Sequence, residues 1–533
     1  MDFNILTPPD PKMGDYSVNL AFVLAKKEKR NPAEVGSELV AKFSEDGEST
    51  KYFNKIELAG GGFVNFHFSD EFLRGQIPKI IKEKENFGNG DSKNLKINLE
   101  FVSANPTGPI TVHNIRAAPF GDTLARVLKK SGYDVTREYY INDAGNQVRL
   151  LGESVARRLL RLRGKEIDFP DNLYQGEYIT DIARELKDNG ATEKIENFDE
   201  LVVVCRDYTV KKLTESIKNS LKNMGVEFDI WFSEKGLHES GEIESALKIL
   251  GKGKHIYDKD GARWLKLDES GEHDAVLVKS DGAYSYLMGD IAYTRNKFIR
   301  GFNKAINIWG ADHHGDVLRL KSGVKSLGYE DGRLEILLHQ MVSIKSEGEK
   351  QRMSKRKGEF VLLDELLKEA GSDAVRFFFL MKDLGTHMEF DIDLAKDQSK
   401  KNPVYYVQYA YARLNQIFEK SRIKDQGSKI KDQELELLKE TEELLLMRKM
   451  AKFPEMITDI AENYQVHHLA QFAYELASVF HNFYEKHQVV NPASPAGGDG
   501  KNLERARVEL CRSVAIILKT SLDLMGVSAP ERM

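Results

Sequence analysis

Lys96-Ile-Asn-Leu-Glu-Phe-Val102 runs directly into Ser103-Ala-Asn-Pro-Thr-Gly-Pro109, and a helical pattern carrying Ala118, Leu124, Val127 and Leu128 follows up to Gly132. An apolar run, a Pro/Gly loop and an amphipathic helix predict strand, turn and helix, and Val135 to Tyr140 supplies the next strand of a βαβ unit. A loop at that junction offers backbone N–H groups and the positive end of a helix dipole, which favour a phosphate. The same loop would also serve as a rigid connection with no ligand. Neither GxxxxGK[ST] nor GxGxxG after a strand occurs in the chain. A parallel nucleotide-binding sheet is therefore expected, with a loop of a different type.

Outward from this unit the period changes several times. Before it, Asp15 or Ser17 is a candidate cap for a helix carrying Ala21, Leu24 and Ala25, and a second helix is expected from Pro32 toward Phe43. Lys55 to Ala59 and Phe63 to Phe68 alternate around Gly60 to Gly62, predicting a hairpin. Asn86 to Asn94 (NFGNGDSKN) is turn-rich and reads as a linker. After the unit, Leu150 to Val226 is amphipathic helix and looks like an insertion, and strand signals recur at Ala275–Val278 and Ala305–Trp309. From Gln408 onward nearly everything has helical period, including Glu434 to Met450 and His467 to Tyr484, apart from a Pro/Gly-rich loop at Asn491 to Gly500. No fixed-period repeat is visible, which disfavours a solenoid.

The 533 residues fit about three or four domains, and 41% hydrophobic with 30% charged residues is an ordinary globular balance. No apolar run approaches the roughly 20 residues of a membrane helix, and MDFNILTPPDPKMGDY lacks the features of a secretory signal. Cys205 and Cys511 lie far apart with no CxxC partner, so a zinc finger, an iron–sulfur site and a disulfide framework are disfavoured and a reducing cytoplasm is expected. The net charge of −5 decides little about nucleic acid, because local basic stripes bind polyanions beneath a negative total.

Arg352-Met-Ser-Lys-Arg-Lys-Gly358 is a basic loop of the kind that closes over a triphosphate, where Lys355 would neutralise charge on departing pyrophosphate. A basic surface loop standing alone is more often simply solvated. This one does not stand alone. MSKRKG resembles the KMSKS loop of class I aminoacyl-tRNA synthetases, and the strand–NPTGP–helix unit looks like their ATP-binding unit.

The particular family resembled is arginyl-tRNA synthetase, of bacterial type. It is carried by EFVSANPTGP (Glu100 to Pro109), EYYINDAGNQ (Glu138 to Gln147), GDIAYTRNKF (Gly289 to Phe298), WGADHHGD (Trp309 to Asp316), MSKRKGEFVLLDEL (Met353 to Leu366), KNPVYYVQYAYAR (Lys401 to Arg413) and GVSAPERM, which ends at Met533. The resemblance implies an α/β fold: a Rossmann-like catalytic domain over 91–395 with a helical insertion, an N-terminal α+β tRNA-binding module over 1–90, and an all-α anticodon-binding bundle over 396–533. It implies attachment of L-arginine to tRNA-Arg through arginyl-adenylate. ATP with Mg2+ would be a substrate, with no tightly bound metal or organic cofactor and no membrane partner, in a cytoplasmic monomer.

Matched residue by residue, Glu100 and Asn105 resemble the family's contacts to the amino acid, and Tyr286 and Asp290 its guanidinium-side contacts, with His314 beside them. A guanidinium has five donors and no acceptor, so acceptor-only carboxylates suit it, although Asp290 judged by type alone would more often be a helix cap or a surface carboxylate. Pro106, Thr107, Gly108, His113, Gly310, Asp312, His313, Met353 and Ser354 match the ATP site. Adjacent histidines seldom share one ion and no Cys or Glu completes a site, so His313 and His314 are read as wall residues and no metal site is expected. For tRNA the resemblance offers Phe63 and Asn65 at the N-terminal module, and Tyr405, Tyr409 and Met533 at the C-terminal end. An aromatic stripe at helical spacing is more often the mark of a core face than of a base-stacking surface.

One departure matters. The family's HIGH-type tetrad falls on Thr111-Val112-His113-Asn114, so Thr111 and Asn114 replace the two histidines that donate to ATP phosphates, and His113 replaces the glycine. Thr111 and Asn114 still donate, uncharged and with different reach. Pro119 is expected to delay or kink the helix that follows. The departure motivates one rival reading, a tRNA- or nucleotide-binding pseudoenzyme. An adenylating enzyme without tRNA is disfavoured by the two tRNA-facing modules.

Overall fold

The computed structural model describes residues 3–8, 10–267, 273–346, 349–351, 361–421, 423, 430–491 and 500–533. Its centre is a sheet of five parallel strands: β1 (Lys96–Glu100), β2 (Asp134–Ile141), β3 (Ile230–Ser233), β4 (Lys304–Gly310) and β5 (Leu334–His339). They lie in the order β5-β4-β1-β2-β3. This is the doubly wound arrangement in which the winding reverses between β1 and β4, and the crevice outside the carboxyl ends of those two strands is where such sheets bind ligands. Helices cover both faces, so Ile97, Leu99, Ala305 and Ile306 are all buried and the strands read as near-continuous apolar runs.

At the C-terminal end of β1 the chain is strained. Val102 and Ser103 have φ of 69° and 38°, the left-handed region that a β-branched residue avoids. The helix Ala117–Lys130 begins only after the tetrad, whose residues form a turn closed by the Asn114 N–H donating to the Thr111 carbonyl at 3.0 Å. Pro119 is therefore the third helical residue, where an N–H would have no intrahelical acceptor, and it marks a delayed start. Gly121 lets this helix sit on β1, since a Cβ there would come within 2.4 Å of the Phe101 ring.

The insertion forms three helices, Gly145–Leu162, Glu177–Asp188 and Phe198–Asn223, around a core of their own that includes Leu159, Ile182, Leu186 and Cys205. Ala275–Val278 is a strand, but it pairs antiparallel with Ala262–Leu265 in a separate three-stranded sheet and takes no part in the central one. The stretch Asn86–Asn94 is strapped down rather than a free tether: the Gly90 and Lys93 amides donate to the carbonyls of Lys130 and Gly132, and Phe87 is buried.

At the N-terminus four short strands, including the hairpin Phe53–Ala59 and Phe63–Phe68, carry the helices Leu20–Glu28 and Pro32–Glu45. Asn31 caps the second of these, accepting from the Ala33 N–H. Neither Asp15 nor Ser17 caps the first helix. Asp15 accepts from the Phe68 amide and pairs with Arg448, and Ser17 sits within a strand, because the sheet forms where a helix was expected to start. The C-terminal helices, among them Pro403–Lys420, His467–Lys486 and Gly500–Met525, share one apolar core with the catalytic sheet.

Candidate active site

Glu100 ends β1 in register with Asn307 of β4 and Glu138 of β2, a polar row across a buried sheet. Such a row needs donors. The helix Tyr286–Ile299, capped by Ser285 and packed on β4, supplies most of them. Lys297 Nζ donates to Glu100 Oε2 at 2.6 Å and to Asn307 Oδ1 at 2.8 Å. Arg300, just past the helix, grips Glu138 with two nitrogens at 2.6 and 2.8 Å, and Tyr293 donates its hydroxyl to the same carboxylate. Tyr286, Asp290, Tyr293 and Lys297 recur at steps of four, three and four, so one helix face carries them all.

Asp290 has no cation of its own among these pairs. Burial first, then the neighbouring charges of Glu100, Glu234 and Asp316, push its carboxyl up to about 8, with Lys297 acting the other way. Glu234, which opens the short helix after β3, is pushed up to about 7 by burial and by Asp143. The Tyr140 hydroxyl, raised by burial, faces Glu234, Asp290, Glu100 and Asp143 together. The result is an acidic recess at the switch point, where a bound cation would relieve carboxyls held above their ordinary range. Tyr286 stands exposed at its rim.

On the other side of β1 the loop is braced. The Tyr139 hydroxyl donates to the Ala104 carbonyl at 2.7 Å and the Tyr178 hydroxyl, from the insertion, to the Thr107 carbonyl at 2.6 Å. Asn105 donates to Gln147 Oε1 at 2.8 Å. Pro106 is buried, and Gly108 lies under the Tyr178 ring. Within the tetrad Thr111 Oγ1 donates to Asn114 Oδ1, while His113 is half-buried. The Val112 amide donates to the Val361 carbonyl at 3.1 Å and the Leu363 amide to the Ile110 carbonyl at 3.1 Å. Met353, Ser354 and Lys355 lie outside the described residues; Val361 and Leu362, which follow them in the chain, are stitched to the tetrad.

Beyond β4, Gly310 allows close approach by Asp312, and His313 faces Asp312 and Asp316 at 3.8 and 3.7 Å. His314 is exposed at the start of its helix. Among the described residues no group of three His, Cys, Asp or Glu side chains is set to hold a metal ion. No described helix is long and apolar enough to cross a membrane.

The residues suggested for RNA fall into two kinds. Phe63 packs edge-on against Phe22 beside the Gly60–Gly62 turn, at 5.1 Å between centroids. Asn65 corrects the expectation, since it is only 4% exposed, inside the central strand of the small sheet, and presents no amide to a base. Tyr405 and Tyr409 stack at 6.2 Å, half-buried, with the Arg413 guanidinium over Tyr409 and Tyr484, and Met533 is exposed. Lys297, Glu234 and Asp143 went unnoticed in the sequence. Lys297 was traceable from its place seven residues after Asp290, whereas Glu234 and Asp143 reach the recess only through the fold.

An arginine–tRNA ligase of Thermotoga petrophila is 44% identical over 100% of this chain and 96% of its own length. The chain belongs to the arginyl-tRNA synthetase family. Family profiles agree: residues 1–68 match the arginyl tRNA synthetase N terminal domain, 76–384 the class I (R) tRNA synthetase catalytic domain, and 407–533 the DALR anticodon binding domain. The arginine–tRNA ligase of Bacillus subtilis is 41% identical over 99% of this chain and 94% of its own. A Campylobacter jejuni crystal structure of the same family superposes with a TM-score of 0.77 at 35% identity, covering 87% of this chain and all of that one. The Thermus thermophilus arginyl-tRNA synthetase shares the fold, with a TM-score of 0.78 at 21% identity over 100% of this chain and 96% of that one. No comparison supports the pseudoenzyme alternative.

Proposed function

We propose that this synthetase activates L-arginine with MgATP to arginyl-adenylate and transfers the arginyl group to tRNA-Arg, with the acidic recess as the amino-acid site. The observation that carries the reading is the recess itself: Asp290 and Glu234, held near 8 and 7, are carboxyls in want of a cation at the switch point of a doubly wound sheet. A guanidinium supplies that charge with donors in a planar fork. Asp290 and Tyr286 would take the guanidinium end, with Glu234 as a further acidic wall. Glu100 and Asn105 would take the amino-acid end, and His314 would close the rim.

The reaction needs no covalent enzyme intermediate. The arginine carboxylate attacks the α-phosphorus in line and pyrophosphate leaves with magnesium; the terminal ribose hydroxyl of tRNA then attacks the adenylate carbonyl and AMP leaves. The protein contributes positioning and charge stabilisation. Pro106, Thr107, Gly108 and His113 would line the nucleotide on one side, and Gly310, Asp312 and His313 on the other. Thr111 and Asn114 would donate to phosphate oxygens, and the loop of Met353, Ser354 and Lys355 would act on the leaving pyrophosphate. For tRNA, Phe63 at its hairpin and the Tyr405/Tyr409 stack with Met533 are the proposed contacts. We place the enzyme in a reducing cytoplasm, as a monomer, where the buried thiols of Cys205 and Cys511 stay reduced.

The test is charging of tRNA-Arg with radiolabelled arginine, run beside ATP–pyrophosphate exchange with and without tRNA. Charging is expected. Tight tRNA binding without charging would overturn the proposal.

A further inference from the structure

Among the described residues Lys297 is the one lysine among the largest fully buried side chains, and its Nζ is spent entirely inside the protein. It donates to Glu100 Oε2 at 2.6 Å and to Asn307 Oδ1 at 2.8 Å, and its third face lies over the Tyr293 ring at 4.4 Å. An ammonium has three donors, so nothing is left for a ligand. Glu100 differs. Its Oε1 accepts from Ser103 Oγ at 3.1 Å, and that hydroxyl in turn accepts from the Tyr140 amide at 3.0 Å, so both oxygens are oriented. A carboxylate has about four lone-pair sites, and these two bonds leave acceptor capacity over.

We infer that Lys297 is a positioning residue for arginine, acting through Glu100: it fixes the carboxylate so that its remaining lone pairs meet the α-ammonium of the substrate. This rests on the proposed placement of the amino-acid end at Glu100. Lys297 reaches the switch point from the helix that also carries Asp290, so the two ends of one substrate are set by one rigid element. The spacing of seven residues places Asp290 at one end of that element and the anchor of Glu100 two turns away. A carboxylate displaced by about 1 Å can cost up to two orders of magnitude in a positioned reaction.

The test compares arginine with 5-guanidinopentanoate, which keeps guanidinium and carboxylate and lacks the α-amino group. Lys297→Met should raise the KM for arginine about 10- to 100-fold in aminoacylation while the inhibition constant of the analogue stays within about threefold. Because removing a buried partner can unfold a protein, Glu100→Gln and Lys297→Met/Glu100→Gln are run alongside as a cycle. If Lys297 acts through Glu100, the double variant binds arginine no worse than Glu100→Gln. Equal weakening of both ligands by Lys297→Met, or additive losses in the cycle, would overturn the inference and leave the arginine site standing. A wild-type enzyme that binds the analogue as tightly as arginine would overturn the placement at Glu100 and the inference with it.

Discussion

Thr111 Oγ1 donates to Asn114 Oδ1 at 2.8 Å, so the first and last positions of the tetrad are tied to each other across a turn. The bond uses the Asn114 carbonyl oxygen, so the amide nitrogen is the end of that side chain with donors left to offer. It makes the tetrad a built turn that holds a neutral donor in place, the arrangement expected of a rebuilt site. Replacing the turn by Thr111→His, His113→Gly and Asn114→His together should slow adenylate formation by about 10- to 100-fold. A triple variant faster than the wild type would mean that the native tetrad is a decayed one.

Under the proposed function Lys355 acts on pyrophosphate as it departs. Lys355→Ala should lower kcat for activation by about 100- to 1,000-fold and leave the KM for arginine nearly unchanged, because contacts made only in the transition state do not contribute to ground-state binding. Lys357→Ala is the control. An equal loss at Lys357, or none at Lys355, would move the role elsewhere on the loop.

Arginine binding should depend on pH in a stated direction. In the free enzyme burial raises Asp290 to about 8, with Glu100, Glu234 and Asp316 adding to the shift and Lys297 opposing it, and Glu234 stands near 7. A bound cation favours the ionised carboxyls, so protons must leave as arginine enters. Affinity for arginine should therefore rise from pH 6 and level off above about 8, with net proton release near pH 7 seen as buffer-dependent calorimetric heats. Proton uptake, or affinity independent of pH, would contradict the recess as described.

How far the sequence carried this picture differs from part to part. The unit from Lys96 to Gly132 was legible because a strand buried on both faces, a Pro/Gly loop and an amphipathic helix each leave a local mark. The family segments then placed Asp290 and Glu100. The sheet that takes Ala275–Val278 was not legible, since an apolar strand does not name its neighbour. Asn65 was carried over from the family resemblance, and a sequence match does not say which face of a strand the rest of the fold covers. Glu234 and Asp143 reach the same crevice only because β2 and β3, which they follow, end beside β1, whereas Lys297 lies seven residues after Asp290 on one helix.

The junction of the catalytic sheet with the C-terminal helices is tight enough to predict a large stability effect. Arg376, fully buried, donates to Asp122 Oδ2 at 2.6 Å and to the Met525 carbonyl at 2.7 Å. At Gly526, φ is 64° and a Cβ would lie 2.4 Å from the pinned guanidinium. Gly526→Ala adds left-handed strain of about 1–2 kcal/mol to displacement of that group, for a total of about 2–4 kcal/mol. Denaturant unfolding checks this: a loss of only about 1–2 kcal/mol would show that the guanidinium moves freely, and a midpoint equal to the wild type would contradict both contributions.

The central claim is that the carboxylates of the recess take the charge of the arginine side chain, and citrulline tests it most directly, because it keeps the shape and replaces the guanidinium by a neutral urea. Its inhibition constant in aminoacylation should exceed the KM for arginine by about 30- to 1,000-fold, the value of a lost charge-assisted pair, and Asp290→Asn should shrink the ratio without changing the KM for ATP. Citrulline binding as tightly as arginine, or a ratio untouched by Asp290→Asn, would contradict the account.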